Sequence, residues 1–475
     1  MMPFRTFIAV IAALLACDQA LASDDALLRL IESRRAADRE IALQIWNWAE
    51  VGYQETQTSA RLQKELVSAG FRVTAGVAGM PTAFVAEYGS GQPVIAILAE
   101  MDALPGVSQA ATPERQPLRG RISGHACGHH LFGTGSASAA IAVKDWMQRE
   151  GVRGTIRLYG TPAEEGGAGK AYMVRAGLFN DVDVALHWHA GDRNAVTNEP
   201  TLSNKSAKFR FRGVAAHAAA SPERGRSALD GVEAMNFMAN LMREHMPQDS
   251  RLHYIVTRGG DAPNVVPESA EVFYYVRHRD PRIMAELFDR LVKVSEAAAL
   301  GTGTTVEHEI IHGAYSLLPN DALAVAVDDT LRRVGGVSYD SAELAFAERL
   351  RTTLVSPSLP LASAREIQPM DSTLGYGSTD VGDVSWTVPT IGFRTATWVP
   401  GTAAHSWQAV AAGGMSIGMK GMENASKVLA LTARRLFTDE ELRTSARAEF
   451  LQRRGGDFRY VSVVGDRAPP LDYRR

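Results

Sequence analysis

The chain has 475 residues, enough for two or three domains, with an ordinary globular balance of 45% hydrophobic and 22% charged residues. Its net charge of −3 argues against a nucleic-acid partner, and the Arg pairs at 453–454 and 474–475 read as solvated charges. Two cysteines, Cys17 and Cys127, exclude a disulfide framework.

The N-terminus carries one positive charge, then a continuous apolar run over 7–16 that is too short to span a bilayer. Ala20-Leu21-Ala22 offers the small residues of a signal-peptidase site, so residues 1–22 read as a signal peptide with Ser23 as the new terminus. Leu14-Leu15-Ala16-Cys17 offers a second route, lipidation at Cys17. Either route exports the chain, to a periplasmic location. Cys127 is then a lone thiol in an oxidising compartment, where metal ligation would protect it.

Apolar residues at helical spacing (Leu27, Leu30, Ile31, Ile41, Ile45) predict a helix within 26–50, and a second over 56–69 stops at Gly70. Strands are expected at 84–88, 94–98, 155–159 and 182–187, with helices at 129–150 and 169–176 and a loop over 104–121. This alternation implies an α/β fold with a mostly parallel sheet. From about 205 the order changes to strand 208–212, helix 227–244, strands 252–258 and 270–277, helix 281–299 and strand 304–311. That is the β-α-β-β-α-β order of a ferredoxin-like α+β domain, inserted at 205–313 into a domain made of 23–204 and 314–440. Helices at 321–334 and 341–352, a Pro/Ser-rich loop at 356–360 and a strand at 385–395 follow. Residues 441–475, charged and containing Gly and Pro, read as a tail packed on the outside.

Chemistry concentrates in Ser123-Gly124-His125-Ala126-Cys127-Gly128-His129-His130. Thiolate and imidazole are the usual ligands of zinc-like cations, and Gly128 permits the turn that a Cys-x-His pair needs to share one ion. Three apolar strands end in polar groups: Glu100-Met101-Asp102, Pro162-Ala163-Glu164-Glu165-Gly166-Gly167, and His187-Trp188-His189. Ligand sites in open α/β sheets lie beyond the carboxyl ends of strands, so one polar cluster at one sheet edge is expected. Adjacent carboxylates diverge, so one of Glu164 and Glu165 can bind metal while the other faces water, the division that hydrolysis requires. Gly401-Thr402-Ala403-Ala404-His405-Ser406-Trp407 adds a late histidine.

Together with Ala215-Ala216-His217-Ala218-Ala219, Gly225-Arg226-Ser227-Ala228-Leu229-Asp230 and the stretch from Ser378-Thr379-Asp380 through Asp383 to Trp386, these motifs resemble the M20 family of metallopeptidases and amidohydrolases, in its aminoacylase-like branch. The resemblance runs from about 26 to 440. It implies two divalent cations, zinc or manganese, bridged by Cys127, with His129, Glu165, His187 and His405 as the other ligands. It implies Glu164 as general base, Asp102 as the group that orients a ligand imidazole, His217 reaching across a dimer to hold the oxyanion, and Asn264 and Arg277 as substrate contacts. The inserted domain would be lid and dimerisation surface, in a homodimer or a heteromer with a homologous subunit. His125 and His189 would support the ligands from behind. Glu100 stands where many M20 peptidases have a ligand His, and His130 where relatives show Asp or Asn. The implied activity is cleavage of the amide bond of N-acyl or N-aroyl amino acids, or of dipeptides.

Two other readings remain: an exported binding protein on this scaffold, and a nucleophilic hydrolase using Cys127 or Gly414-Met415-Ser416-Ile417-Gly418, which matches G-x-S-x-G without a leading strand. Trp188, Trp386 and Trp407 would line an aromatic pocket or serve as core.

Overall fold

The computed structural model describes residues 4–371 and 373–474, and of residues 4–23 the backbone alone. The expected signal peptide and the Cys17 alternative therefore have their side chains outside the described part. Among the described residues, no helix is long and apolar enough to cross a membrane.

The first half of the chain forms α1 (Phe4–Trp48), α2 (Thr56–Ser68), β1 (Arg72–Ala75), β2 (Phe84–Ser90), β3 (Val94–Glu100), the short pair β4 (Leu104–Pro105) and β5 (Ser123–Gly124), α3 (His129–Glu150), β6 (Gly154–Thr161), α4 (Gly169–Arg175), β7 (Val184–Gly191) and β8 (Ala195–Thr197). After the second sheet come α7 (Asp321–Val334), α8 (Ser341–Arg351), α9 (Val381–Ser385), β13 (Thr390–Ala396), α10 (Trp407–Gly413), α11 (Ser416–Thr438) and α12 (Glu440–Arg454).

The central sheet has the order β1-β2-β6-β3-β7-β13-β8. Its middle four strands, β6, β3, β7 and β13, run parallel, and β1, β2 and β8 add antiparallel edges. Every residue of β3 is buried, which is why it reads as an unbroken apolar run ending in one carboxylate. α3, rich in Gly, Ala and Ser, packs against β3, α1 and α11. The fold class is the expected one: α/β, with a mixed, mostly parallel sheet.

A second, wholly antiparallel sheet is built from β9 (Ser203–Arg212), β10 (Arg251–Arg258), β11 (Ser269–His278) and β12 (Thr305–Ala314), in the order β10-β11-β9-β12. α5 (Ala228–Met242) and α6 (Pro281–Thr302) pack on it over a core of its own that includes Phe209, Phe211, Tyr274 and Phe288. This is the ferredoxin-like order.

Two local expectations change. The strand expected at 385–395 begins only at Thr390, because residues 381–385 turn as α9 and Pro389, lacking an N–H, separates the two. The C-terminal stretch does pack outside as α12, but residues 455–474 continue inward, with Val463 and Val464 buried.

Candidate functional site

The parallel strands deliver their carboxyl ends to one edge. β3 ends at Glu100 and leads to Asp102; β6 leads to Glu164 and Glu165; β7 carries His187 and His189; the segment after β13 brings His405. α3 begins at His129 because Gly128 takes a left-handed φ of +76°, and a Cβ there would lie 2.3 Å from Ala190 Cβ. The turn thus packs against the end of β7 and holds Cys127 and His129 over the sheet edge. Ala163 and His405 also have positive φ, at 57° and 62°, backbone strain that tends to collect at functional sites.

Two groups of three donors emerge, each with its ligand atoms within 4.8 Å of one another: Cys127, His129 and His189; and Cys127, Glu165 and His405. They share the Cys127 sulfur. Glu100, His129 and Glu164 form a third group. His129 Nδ1 lies 3.0 Å from both the backbone oxygen and Oδ1 of Asp102, so Nε2 faces the cluster, 3.1 Å from Glu100 Oε2. His189 Nδ1 sits 2.7 Å from the Ala190 carbonyl and Nε2 lies 3.4 Å from Cys127 Sγ. His405 Nε2 is 3.3 Å from Glu165 Oε1. Buried His129 Nε2, Glu165 Oε1 and Glu100 Oε2 make no hydrogen bond of good geometry; the contacts of His129 Nε2 with Glu100 Oε2 and of His405 Nε2 with Glu165 Oε1 are ion-pair contacts within the cluster itself.

Sequence reading gave His187 as the ligand of this strand and His189 as its support; among the described residues the close donor groups include His189 and not His187. Both lie on one face of β7, but His187 is paired directly with Gly392 of β13, and a Cβ at 392 would lie 2.2 Å from its ring. Its imidazole therefore lies across the neighbouring strand. It lines the cavity but joins none of the donor groups among the described residues.

Burial and crowded charge move the donors away from their ordinary titration. Burial, then the Glu165 charge, pushes the Cys127 thiol well above its usual range. Burial lowers His187 to about 3 and His189 to about 4, leaving both imidazoles neutral. For His129, burial is outweighed by Cys127, Glu100 and Asp102, which raise it well above its ordinary value. Glu164, withdrawn from water beside Glu100, Glu165 and Asp380, is pushed well above the carboxylate range.

Apart from His129, the donors line a cavity of about 220 Å³ with Glu199, Thr201, Ser378, Thr379 and Arg394. Arg277 donates to Ser378 Oγ at 3.1 Å, at the cavity's border. His217 and Asn264 are exposed on the second domain and do not line it; His217 Nδ1 accepts from the Ala219 and Ala220 N–H groups at 3.2 and 3.1 Å. His125 reaches the Ile45 carbonyl at 3.2 Å and His130 the Gly413 carbonyl at 3.0 Å, so both hold the fold behind the site. Ser416 starts α11 immediately after α10, with no strand before it, so no nucleophile elbow forms. Trp188 and Trp386 are core residues and Trp407 is partly buried against the core; none lines the cavity.

Sequence reading missed Lys170. It is fully buried, with Nζ 2.7 Å from Glu100 Oε1 and 2.6 Å from Asp380 Oδ1. A lysine placed directly after Gly166-Gly167-Ala168-Gly169, beside the paired glutamates, was the available signal.

The model of peptidase family M20/M25/M40 matches residues 96–355. A p-aminobenzoyl-glutamate hydrolase subunit of Escherichia coli (strain K12) is 41% identical over 90% of this chain and 95% of its own length. The Xaa-Arg dipeptidase of Mus musculus is 29% identical over 90% and 94%. A Bacillus subtilis structure, described as a dinuclear metal binding peptidase from M20 family, shares the fold at a TM-score of 0.55 and 19% identity, covering 84% of this chain and 99% of its own. The chain belongs to the M20 peptidase family and is a hydrolase of its peptidase and amidohydrolase kind.

Proposed function

We propose that this protein is a metal-dependent amidohydrolase that cleaves the amide bond of N-acyl or N-aroyl amino acids, aminobenzoyl-glutamate among them, or of dipeptides. The observation that carries this reading is the pair of three-donor groups meeting at one sulfur beside Glu164. Cys127 would bridge two divalent cations, zinc or manganese, one held also by His129 and His189 and the other by Glu165 and His405. When bound, such cations acidify water and polarise a carbonyl. Glu164 would take the proton from the attacking water, hold it in surroundings that favour its neutral form, and return it to the leaving amine. Asp102 would fix the His129 tautomer so that Nε2 faces the cations. Arg394 and Arg277 suit a substrate carboxylate at the cavity wall.

In the same reading, the 205–313 domain is lid and dimerisation surface, and exposed His217 and Asn264 complete the site of a neighbouring protomer. That protomer is a copy of this chain or a homologue; the E. coli relative is itself named as one subunit of a hydrolase, which supports the homologue. Export to the periplasm, by cleavage after Ala22 or lipidation at Cys17, belongs to this proposal too.

The test is a screen of the purified protein, with and without EDTA and with Mn or Zn restored, against aroyl-glutamates, acyl-amino acids and dipeptides. Chelation should abolish turnover, and Glu164→Ala should lower kcat by about 10²–10⁴-fold with metal content intact. Turnover that survives EDTA would favour a serine or cysteine nucleophile. Metal binding with no turnover of any amide would favour the binding-protein reading.

A further inference from the structure

Among the described residues beyond α12 there is neither helix nor strand, yet residues 455–474 run as a strap across both domains. Phe458 packs on Trp386 at 4.8 Å between ring centres, and the Tyr460 hydroxyl donates to Asp383 Oδ1 at 2.6 Å. Arg467 donates to the Ile310 and Ile311 carbonyls of β12, while Arg175 of α4 donates to the carbonyls of Gly465 and Arg467 at 2.5 and 2.8 Å. Gln54 then donates to the Leu471 carbonyl at 2.7 Å.

The strap ends on the loop that carries the paired glutamates. Arg474 Nη2 donates to the Glu165 backbone carbonyl at 2.5 Å, and the Tyr473 hydroxyl donates to the same oxygen at 3.3 Å. Tyr473 meets Tyr53 edge-on at 5.7 Å, and the Tyr53 hydroxyl donates to the Gly167 carbonyl of the same loop at 2.7 Å. The seat is shaped for this contact: a Cβ at Gly52 would lie 2.3 Å from the Tyr473 hydroxyl. From the other side, Glu165 N–H donates to Asp102 Oδ2 at 2.9 Å, and Ala163 N–H to Glu55 Oε1 at 2.8 Å. The loop includes left-handed Ala163 and Ala168 and has Gly166 at φ +106°, so its backbone is strained and gains from external anchors.

We propose that Arg474 and Tyr473 are positioning residues: the C-terminal strap grips the Glu165 carbonyl opposite Asp102 and thereby sets Glu164 and Glu165 for the cations and the substrate. This rests on the cation-pair reading above. Asp102 holds the peptide before Glu165 and the strap holds the peptide after it, which fixes the backbone on both sides of the Glu165 Cα, as a single anchor at the N–H does not.

Co(II) titration of the metal-stripped full chain, followed by the thiolate-to-Co(II) absorption band, tests it alongside kcat and KM. Wild type should take up two ions. Arg474→Ala, and a chain ending at Pro470, should bind the weaker ion about 10–100-fold less tightly and lose kcat by a similar factor, with KM little changed. Arg474→Lys should recover part of both, and Asp472→Asn, exposed on the same strap, should match wild type. If Arg474→Ala does not fold, Arg474→Gln and Tyr473→Phe report the same quantities. Variants that melt earlier but keep Co(II) affinity and kcat would reduce the strap to packing and overturn the proposal. A wild-type chain without the thiolate band would instead sink the cation reading, and the strap's role with it.

Discussion

Lys170 offers the sharpest test of how the site is held together. Its ammonium lies between Glu100 Oε1 at 2.7 Å and Asp380 Oδ1 at 2.6 Å, and all three groups are buried. Burial alone would raise Glu100, but Lys170 and His129 outweigh it and hold its carboxyl below the ordinary range, whereas burial and the Glu100 charge leave Asp380 raised. Lys170→Met keeps the side-chain length and removes the charge, stranding both carboxylates. Stripping one partner from a buried pair costs about 3–5 kcal/mol. The sign with pH follows from Glu100. A depressed folded-state value gives stability that is present above the unfolded value of 4.5 and is lost as pH falls below it. The variant lacks that contribution and gains by protonating its stranded carboxyls, so its deficit should be greatest near neutrality and shrink on acidification. Urea denaturation of EDTA-treated parent and variant, followed by tryptophan fluorescence at several pH values, measures it. Lys170→Met/Asp380→Asn should recover part of the loss. A variant within about 0.5 kcal/mol of the parent at neutral pH, or a deficit that widens in acid, would refute the reasoning.

Two further expectations follow from the site. His189→Ala should lose at least one bound ion by elemental analysis while His187→Ala keeps both; the reverse result would return the ligand role to His187. Glu55, buried behind Ala163 and near Asp102, is pushed up to about 8, so the folded chain holds its proton more tightly than the unfolded chain does. Its contribution to stability therefore falls as pH rises from 4.5 to about 8. Glu55→Gln should gain on the parent in melting temperature across that window, and a parent that gains on the variant would contradict the assignment.

The sheet and the polar edge were legible because both depend on local pattern. The run of β3 from Val94 to Ala99 can only be buried on both faces, and a carboxylate at its end can only sit where the sheet stops. The same holds for β6 before Glu164, and the β-α-β-β-α-β order of the second domain follows from short-range periodicity alone. His187 and His189 show where pattern stops. Alternation puts both on one face of β7, but which imidazole reaches the thiol depends on the register with β13, where Gly392 leaves room for the His187 ring.

Lys170 and the strap mark a different boundary. A lysine in a short helix reads as a surface charge, since an unpaired ammonium is costly to bury. Here Asp380 arrives from 210 positions downstream and Glu100 from β3, and only their meeting makes burial tolerable. Residues 455–474 have no periodicity of their own, so composition gives an external tail. Their partners, the Glu165 carbonyl 309 positions before Arg474 and the space left by Gly52, are backbone features that no side-chain pattern announces. The parts of this site that sequence concealed are thus the charges and carbonyls satisfied across long stretches of chain. These contacts decide how rigidly Glu164, Glu165 and His129 are held, and mutation should test them before it tests the donors themselves.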